Sequence, residues 1–184
     1  GAKSPEDIRA DAVAKFGAQL ALINSVPELG TLLDRAIKEN WSAERWGLEY
    51  QNSKWFQSNS GTFRTYEASR LSDPGAFAEQ YNNLLKDIQV AGKNLGIDTS
   101  AFGSAITADQ AKSVDPNGLV GYLLSHYYNK GVPSEILNNY ISSHGSIAKT
   151  GGVSGGLIAS TAAALRNEAR SQGLNPQLIT PSWK

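Results

Sequence analysis

The chain contains no cysteine and no methionine, and only two histidines. Without thiols, disulfide staples, cysteine nucleophiles and zinc–thiolate sites are excluded, and the redox compartment is left open. Methionine is missing even at position 1, so Gly1-Ala2 reads as a tag remnant on a segment excised from a longer protein. An imidazole-built metal centre has only His126 and His144 to draw on. They fall on different predicted helices with no acidic residue at ligand spacing, which favours structural or surface roles and no metal site. Excess charge of either sign is also absent. Seventeen basic residues match seventeen acidic ones and the pI is near 6.9, so overall charge makes no case for nucleic acid or an anionic membrane. The small basic surplus after position 140, from Lys149, Arg166, Arg170 and Lys184, does not alter this. No apolar run approaches the roughly 18 residues of a membrane span, and the N-terminus carries no signal-peptide core. Strand-type alternation is nearly absent as well.

Helix signals remain, in 184 residues that are 40% hydrophobic and 18% charged, enough for one domain or two small ones around a buried core. Ser4-Pro5-Glu6-Asp7 supplies an N-cap, a proline at the first helical position and two acids at the positive end of the dipole. From there Ile8, Val13, Phe16, Leu20 and Ile23 recur mostly at helical spacing. Ser25-Val26-Pro27-Glu28 has capping-box spacing and opens a helix with the stripe Leu29, Leu32, Leu33, Ala36 and Ile37, ending near Asn40. Ser42 caps a helix with Trp46 and Tyr50 on one face, and Thr62 to Arg70 reads as a shorter one. Asp73-Pro74 opens the longest, running to about Leu95, with Phe77, Tyr81, Leu84, Leu85 and Ile88 inward.

Residues 97–106 read as a connecting loop between an N-terminal half, 1–96, and a C-terminal half, 107–184. In the second half Thr107 to Gln110 is a capping box. Asp115-Pro116 starts a helix bearing Leu119, Tyr122, Leu123 and Tyr127, Pro133 starts another, and a glycine-rich hinge at 150–156 precedes the last. The prediction is an all-α domain of about eight helices, built from αα-hairpins in two packed halves. Residues 36–53 and 127–144 share a helix–turn–helix spacing with almost no identities, an echo that coincidence among αα-hairpins also produces.

No catalytic motif emerges. Ser143-His144-Gly145-Ser146 flanks an imidazole with hydroxyls but has no elbow motif and no orienting acid. The GGVSGG run lacks the lysine of a P-loop and the strand that precedes a dinucleotide fold. Glu28, Glu39, Glu44, Glu49 and Glu67 lie near aromatics, the composition of a carboxylate-pair glycosidase, but capping and solvated helix faces account for several of them. No cofactor is implied. The candidate binding residues are the aromatics Trp41, Trp46, Tyr50, Trp55 and Phe56, which serve either as the lock between short helices or as a patch for a partner.

A pattern runs through these residues: Pro27-Glu28-Leu29, then Asn40-Trp41, Ser53-Lys54-Trp55-Phe56, Ser60 and Arg64. With ITADQA, LLSHYYNKGVPSEILNNYI and a GGVSGG-then-helix ending LRNEARSQGL, it resembles helical virion-protein segments of bacteriophages infecting actinobacteria, over roughly residues 20–178. Trp-Phe at 55–56 departs from the double tryptophan of that pattern, and Asp98 to Gly103 is unmatched. The resemblance implies a particle component: a minor tail, tape-measure-associated or internal protein. It would be non-enzymatic, located in the virion, and would contact other virion proteins during assembly or genome delivery. The alternative it leaves open is a peptidoglycan-degrading or peptidoglycan-binding domain used to breach the host wall.

Overall fold

The computed structural model describes residues 1–94, 103–116 and 118–128. It is all-α: among the described residues there are nine helices and no strand. The chain divides into two units, Gly1–Asp73 and Pro74–Lys184. That division falls at Asp73-Pro74, ahead of the 97–106 connection expected from the sequence. The helix predicted from Pro133, the hinge at 150–156, the last helix, His144 and most of the 127–144 half of the internal echo lie outside the described residues.

In the first unit, α1 (Pro5–Phe16) begins as expected, with the Ser4 hydroxyl accepting from the Asp7 N–H. It stops at Gly17, whose φ of 64° is left-handed, and the Ala18 N–H closes back on the Val13 carbonyl at 3.0 Å. The apolar series from Ile8 to Ile23, which reads as one stripe, is therefore two helices, the second being α2 (Leu20–Ser25). The expected capping box at Ser25 is not formed either. Val26 is the N-cap of α3 (Pro27–Lys38) with no side-chain bond, and the Ser25 hydroxyl donates to the Ala21 carbonyl at 2.9 Å. A helix already running through Ser25 offers that carbonyl first.

The buried stripe of α3 is as predicted, with Leu29, Leu33 and Ala36 inside and Leu32 and Ile37 half-buried. It ends in a Schellman motif. Asn40 sits at φ 52°, its N–H bonds to the Ile37 carbonyl (3.2 Å), and the Trp41 N–H bonds to the Ala36 carbonyl (2.9 Å). Three serine-capped helices follow: α4 (Ala43–Gln51) after Ser42, α5 (Lys54–Ser58) after Ser53 and α6 (Gly61–Ser72) after Ser60. In each, the serine oxygen accepts from the N–H three residues on at 3.1 Å. A core of Val13, Leu22, Ile23, Leu29, Leu33, Ala36, Trp41 and Trp46 gathers α1 to α4.

The second unit begins with α7 (Pro74–Asn94), where Phe77, Ala78, Leu85 and Ile88 are buried and Tyr81 and Leu84 half-buried. The Thr107–Gln110 capping box is formed and opens α8 (Ala108–Ala111). Asn82 of α7 holds this connection by both ends of its amide, accepting from the Ile106 N–H (2.8 Å) and donating to the Ile106 carbonyl (2.9 Å). The next helix, α9 (Leu119–Tyr127), starts after Gly118 rather than at Pro116, which lies in a turn. Val120, Tyr122, Leu123 and Leu124 of α9 are buried, and Tyr128 stacks on Phe77 at 6.3 Å.

Candidate functional site

Two aromatic assemblies occupy the first unit, and both grow from the helix ends just described. The first surrounds Trp41. Set in the Schellman turn, Trp41 is 1% exposed, and two guanidiniums lie over its ring, Arg35 from α3 at 5.2 Å and Arg45 from α4 at 4.6 Å. Its indole N–H donates to Glu39 Oε1 at 3.3 Å. The Glu39 carboxylate also meets Arg35 and Arg45, each at 3.5 Å, and Arg45 reaches Glu49 at 3.8 Å. The indole donor, reinforced by the two cations, holds the Glu39 carboxyl below the usual carboxylate value against the opposing effect of desolvation.

The second is a column of near-parallel rings. Phe16 stacks on Trp46 (5.1 Å, 5°), Trp46 on Tyr50 (6.1 Å, 17°), and Tyr50 on Trp55 (6.3 Å, 18°). Phe56 meets the edge of Tyr50 at 5.1 Å and 81°. Trp46 and Tyr50, four residues apart on one face of α4, thus each stack with two rings. Burial raises the Tyr50 phenol above its ordinary value, with the nearby Arg64 charge acting in the opposite sense. Arg64 of α6 lies over Phe56 with its guanidinium carbon 3.5 Å from the ring centre, and its Nη1 donates to the carbonyls of Phe56 (2.9 Å) and Asn59.

Of the five aromatics singled out from the sequence, Trp41 and Trp46 are buried and offer a partner almost no surface. Tyr50, Trp55 and Phe56 are half-buried. Four of them join one column, while Trp41 stands in its separate cationic frame.

The carboxylates weighed for acid–base chemistry do not converge. Glu28 accepts from the backbone N–H groups of Lys54 (2.9 Å) and Trp55 (2.7 Å), so it caps α5 from another helix. Glu39 and Glu49 serve the Trp41 frame. Glu67 forms a two-pronged pair with Arg70 (2.7 and 3.1 Å), both side chains mostly covered. Glu44 is exposed in the first turn of α4. His126 Nδ1 lies 2.9 Å from the Tyr122 carbonyl and 3.1 Å from the Ser125 hydroxyl. Among the described residues no group of three or more His, Asp or Glu is placed to hold a metal ion, and no helix is long and apolar enough to cross a membrane.

Sequence reasoning passed over Arg64 and Gln19 as site residues. Together with Trp46, Tyr50 and Ser69 they line a cavity in the first unit. Arg64 belongs to the sequence pattern, but its role is not legible there, because the groups that hold it come from a helix end several residues earlier. Comparison with protein-family models, with curated proteins and with solved structures yields no match.

Proposed function

We propose that the chain is a non-enzymatic structural and interaction module of a phage particle protein, contacting other virion proteins during assembly or genome delivery. The observation that carries the non-catalytic part is the use made of the polar groups. Glu28, Glu39, Glu49 and Glu67 are engaged in capping or ion pairing, and the rings of the aromatic column stack on one another. Such an arrangement rigidifies short helices, and among the described residues these four carboxylates are committed to structural contacts. The virion setting rests on the sequence resemblance over residues 20–178. Surface available to neighbours includes Leu48 on α4, 64% exposed, and the outer parts of Trp55 and Phe56.

Two measurements test the reading. The proteome of gradient-purified particles from cells carrying the coding sequence contains peptides of this chain under this proposal, and a particle fraction without them overturns it. Incubated with actinobacterial cell walls, the purified protein leaves turbidity unchanged and stays in the supernatant. Clearing that disappears in Glu44→Gln or Glu49→Gln, or sedimentation with the walls, favours the peptidoglycan alternative.

A further inference from the structure

Where the end of α1 meets α2, α4 and α6, a cavity of about 440 Å³ opens, within the ~300–1,000 Å³ range of small-ligand pockets. Its floor is apolar, made by the buried Leu22, Ile23, Leu29 and Trp46. Arg64 is the one charged residue among those that line it, and no Asp or Glu is present there. Among the described residues Arg64 has no carboxylate partner, whereas Arg9, Arg35, Arg45 and Arg70 each have at least one.

The Arg64 cation is also fixed in place. Its Nη1 is tied to two carbonyls and its guanidinium carbon lies over the Phe56 ring, while Nη2 lies 3.6 Å from where a Cβ on the cavity-lining Gly61 would be. Gln19 adds a second donor, because its amide oxygen already accepts from the Ser72 hydroxyl at 3.1 Å and its N–H groups remain for a ligand. The ligand is not one held by ring stacking. Trp46 is buried, with Phe16 and Tyr50 stacked against it, so it offers a planar ring or sugar face almost no surface.

We infer that this cavity binds a small aliphatic carboxylate, with its chain against Leu22, Ile23, Leu29 and the edge of Trp46 and its head group on Arg64 and the Gln19 amide. The inference is independent of the particle reading, since a carboxylate pocket fits a module of any setting.

Octanoate, 1-octanol and octylammonium titrated separately into the full chain provide the test, followed by calorimetry and by the Trp46 indole and Gln19 amide resonances. Octanoate is expected to bind saturably and to move both resonances, with 1-octanol about tenfold weaker and octylammonium weaker still. Thr65→Glu sets a carboxylate beside Arg64 at an exposed position on the cavity wall. It is expected to weaken octanoate about tenfold while leaving 1-octanol unchanged. This variant is preferred to Arg64→Gln, which also releases the carbonyls at the end of α5. Absence of saturable octanoate binding overturns the inference. So does equal affinity for octanoate and 1-octanol, or octanoate binding that Thr65→Glu leaves intact.

Discussion

At the scale of single residues, the polar side chains of the first unit work at a distance from where their neighbours suggest. Glu28 has the spacing of a local cap and instead closes the N-terminus of α5, more than twenty positions later, on two charge-assisted bonds. Glu28→Ala is therefore expected to destabilise the protein by about 1–2 kcal/mol in urea denaturation, with Ser25→Ala nearly neutral. The reverse ranking would restore the local box. Glu39 gives the pH dependence. Its carboxyl titrates below the usual value in the folded protein because the Trp41 indole donates to it and Arg35 and Arg45 face it. A depressed folded value means that the stabilisation is fully present above the unfolded carboxylate value and is lost as pH falls through the folded one. Comparing denaturation midpoints across pH, wild type should hold an advantage over Glu39→Gln at neutral pH that shrinks on acidification. A difference independent of pH would remove Glu39 from this role.

At the scale of elements, what the sequence disclosed was what is local. The caps at Ser4, Ser42 and Thr107, the left-handed Asn40, the stripe of α3 and the start of α7 each depend on residues within one or two turns, and each was readable. The break at Gly17, the short α5 and the late start of α9 were not, because each depends on what the chain meets elsewhere. An apolar series that continues in phase across Gly17 hides a reversal in the backbone. The Trp-Phe pair was legible as an aromatic cluster, but its stacking order was not, since Phe16 and Arg64 come from other helices. Gly121 in α9 shows the same limit. A Cβ there would stand 2.3 Å from the Asp115 backbone carbonyl, too close for any side chain, so the turn before α9 requires glycine at this point. Gly121→Ala is expected to cost about 1–3 kcal/mol through a forced backbone shift. Gly47→Ala, in α4 with nothing within 4 Å of its Cβ, should stabilise by about 0.5–1 kcal/mol. Thermal unfolding followed by circular dichroism separates the two, and similar effects from both would mean that helix propensity, not close approach, decides at Gly121.

At the scale of the whole molecule, the contacts inside the first unit bear on whether it folds alone. In the first unit a core cluster from Val13 to Trp46 is drawn from residues before Asp73, and the partly buried residues packed on it run to Leu71. Several long-range clasps also close within it: Arg9 on Asp34 and Asn24, Glu28 on α5, and Ser72 on Gln19. A core cluster and clasps that lie within one segment favour its folding alone. At this length the surface-to-volume ratio limits it to about 3–5 kcal/mol. Residues 1–73 expressed as a fragment are thus expected to unfold cooperatively in urea. Trp41, Trp46 and Trp55 all lie within it, so their fluorescence follows the transition directly. The column from Phe16 to Trp55 makes the outcome decisive, because its stacking holds α1, α4 and α5 in one arrangement and cannot persist in a collapsed but unpacked chain. Dispersed indole resonances and a sigmoidal transition establish an autonomous unit. Non-cooperative loss of fluorescence with collapsed resonances would mean that the first unit takes part of its stability from residues beyond Asp73.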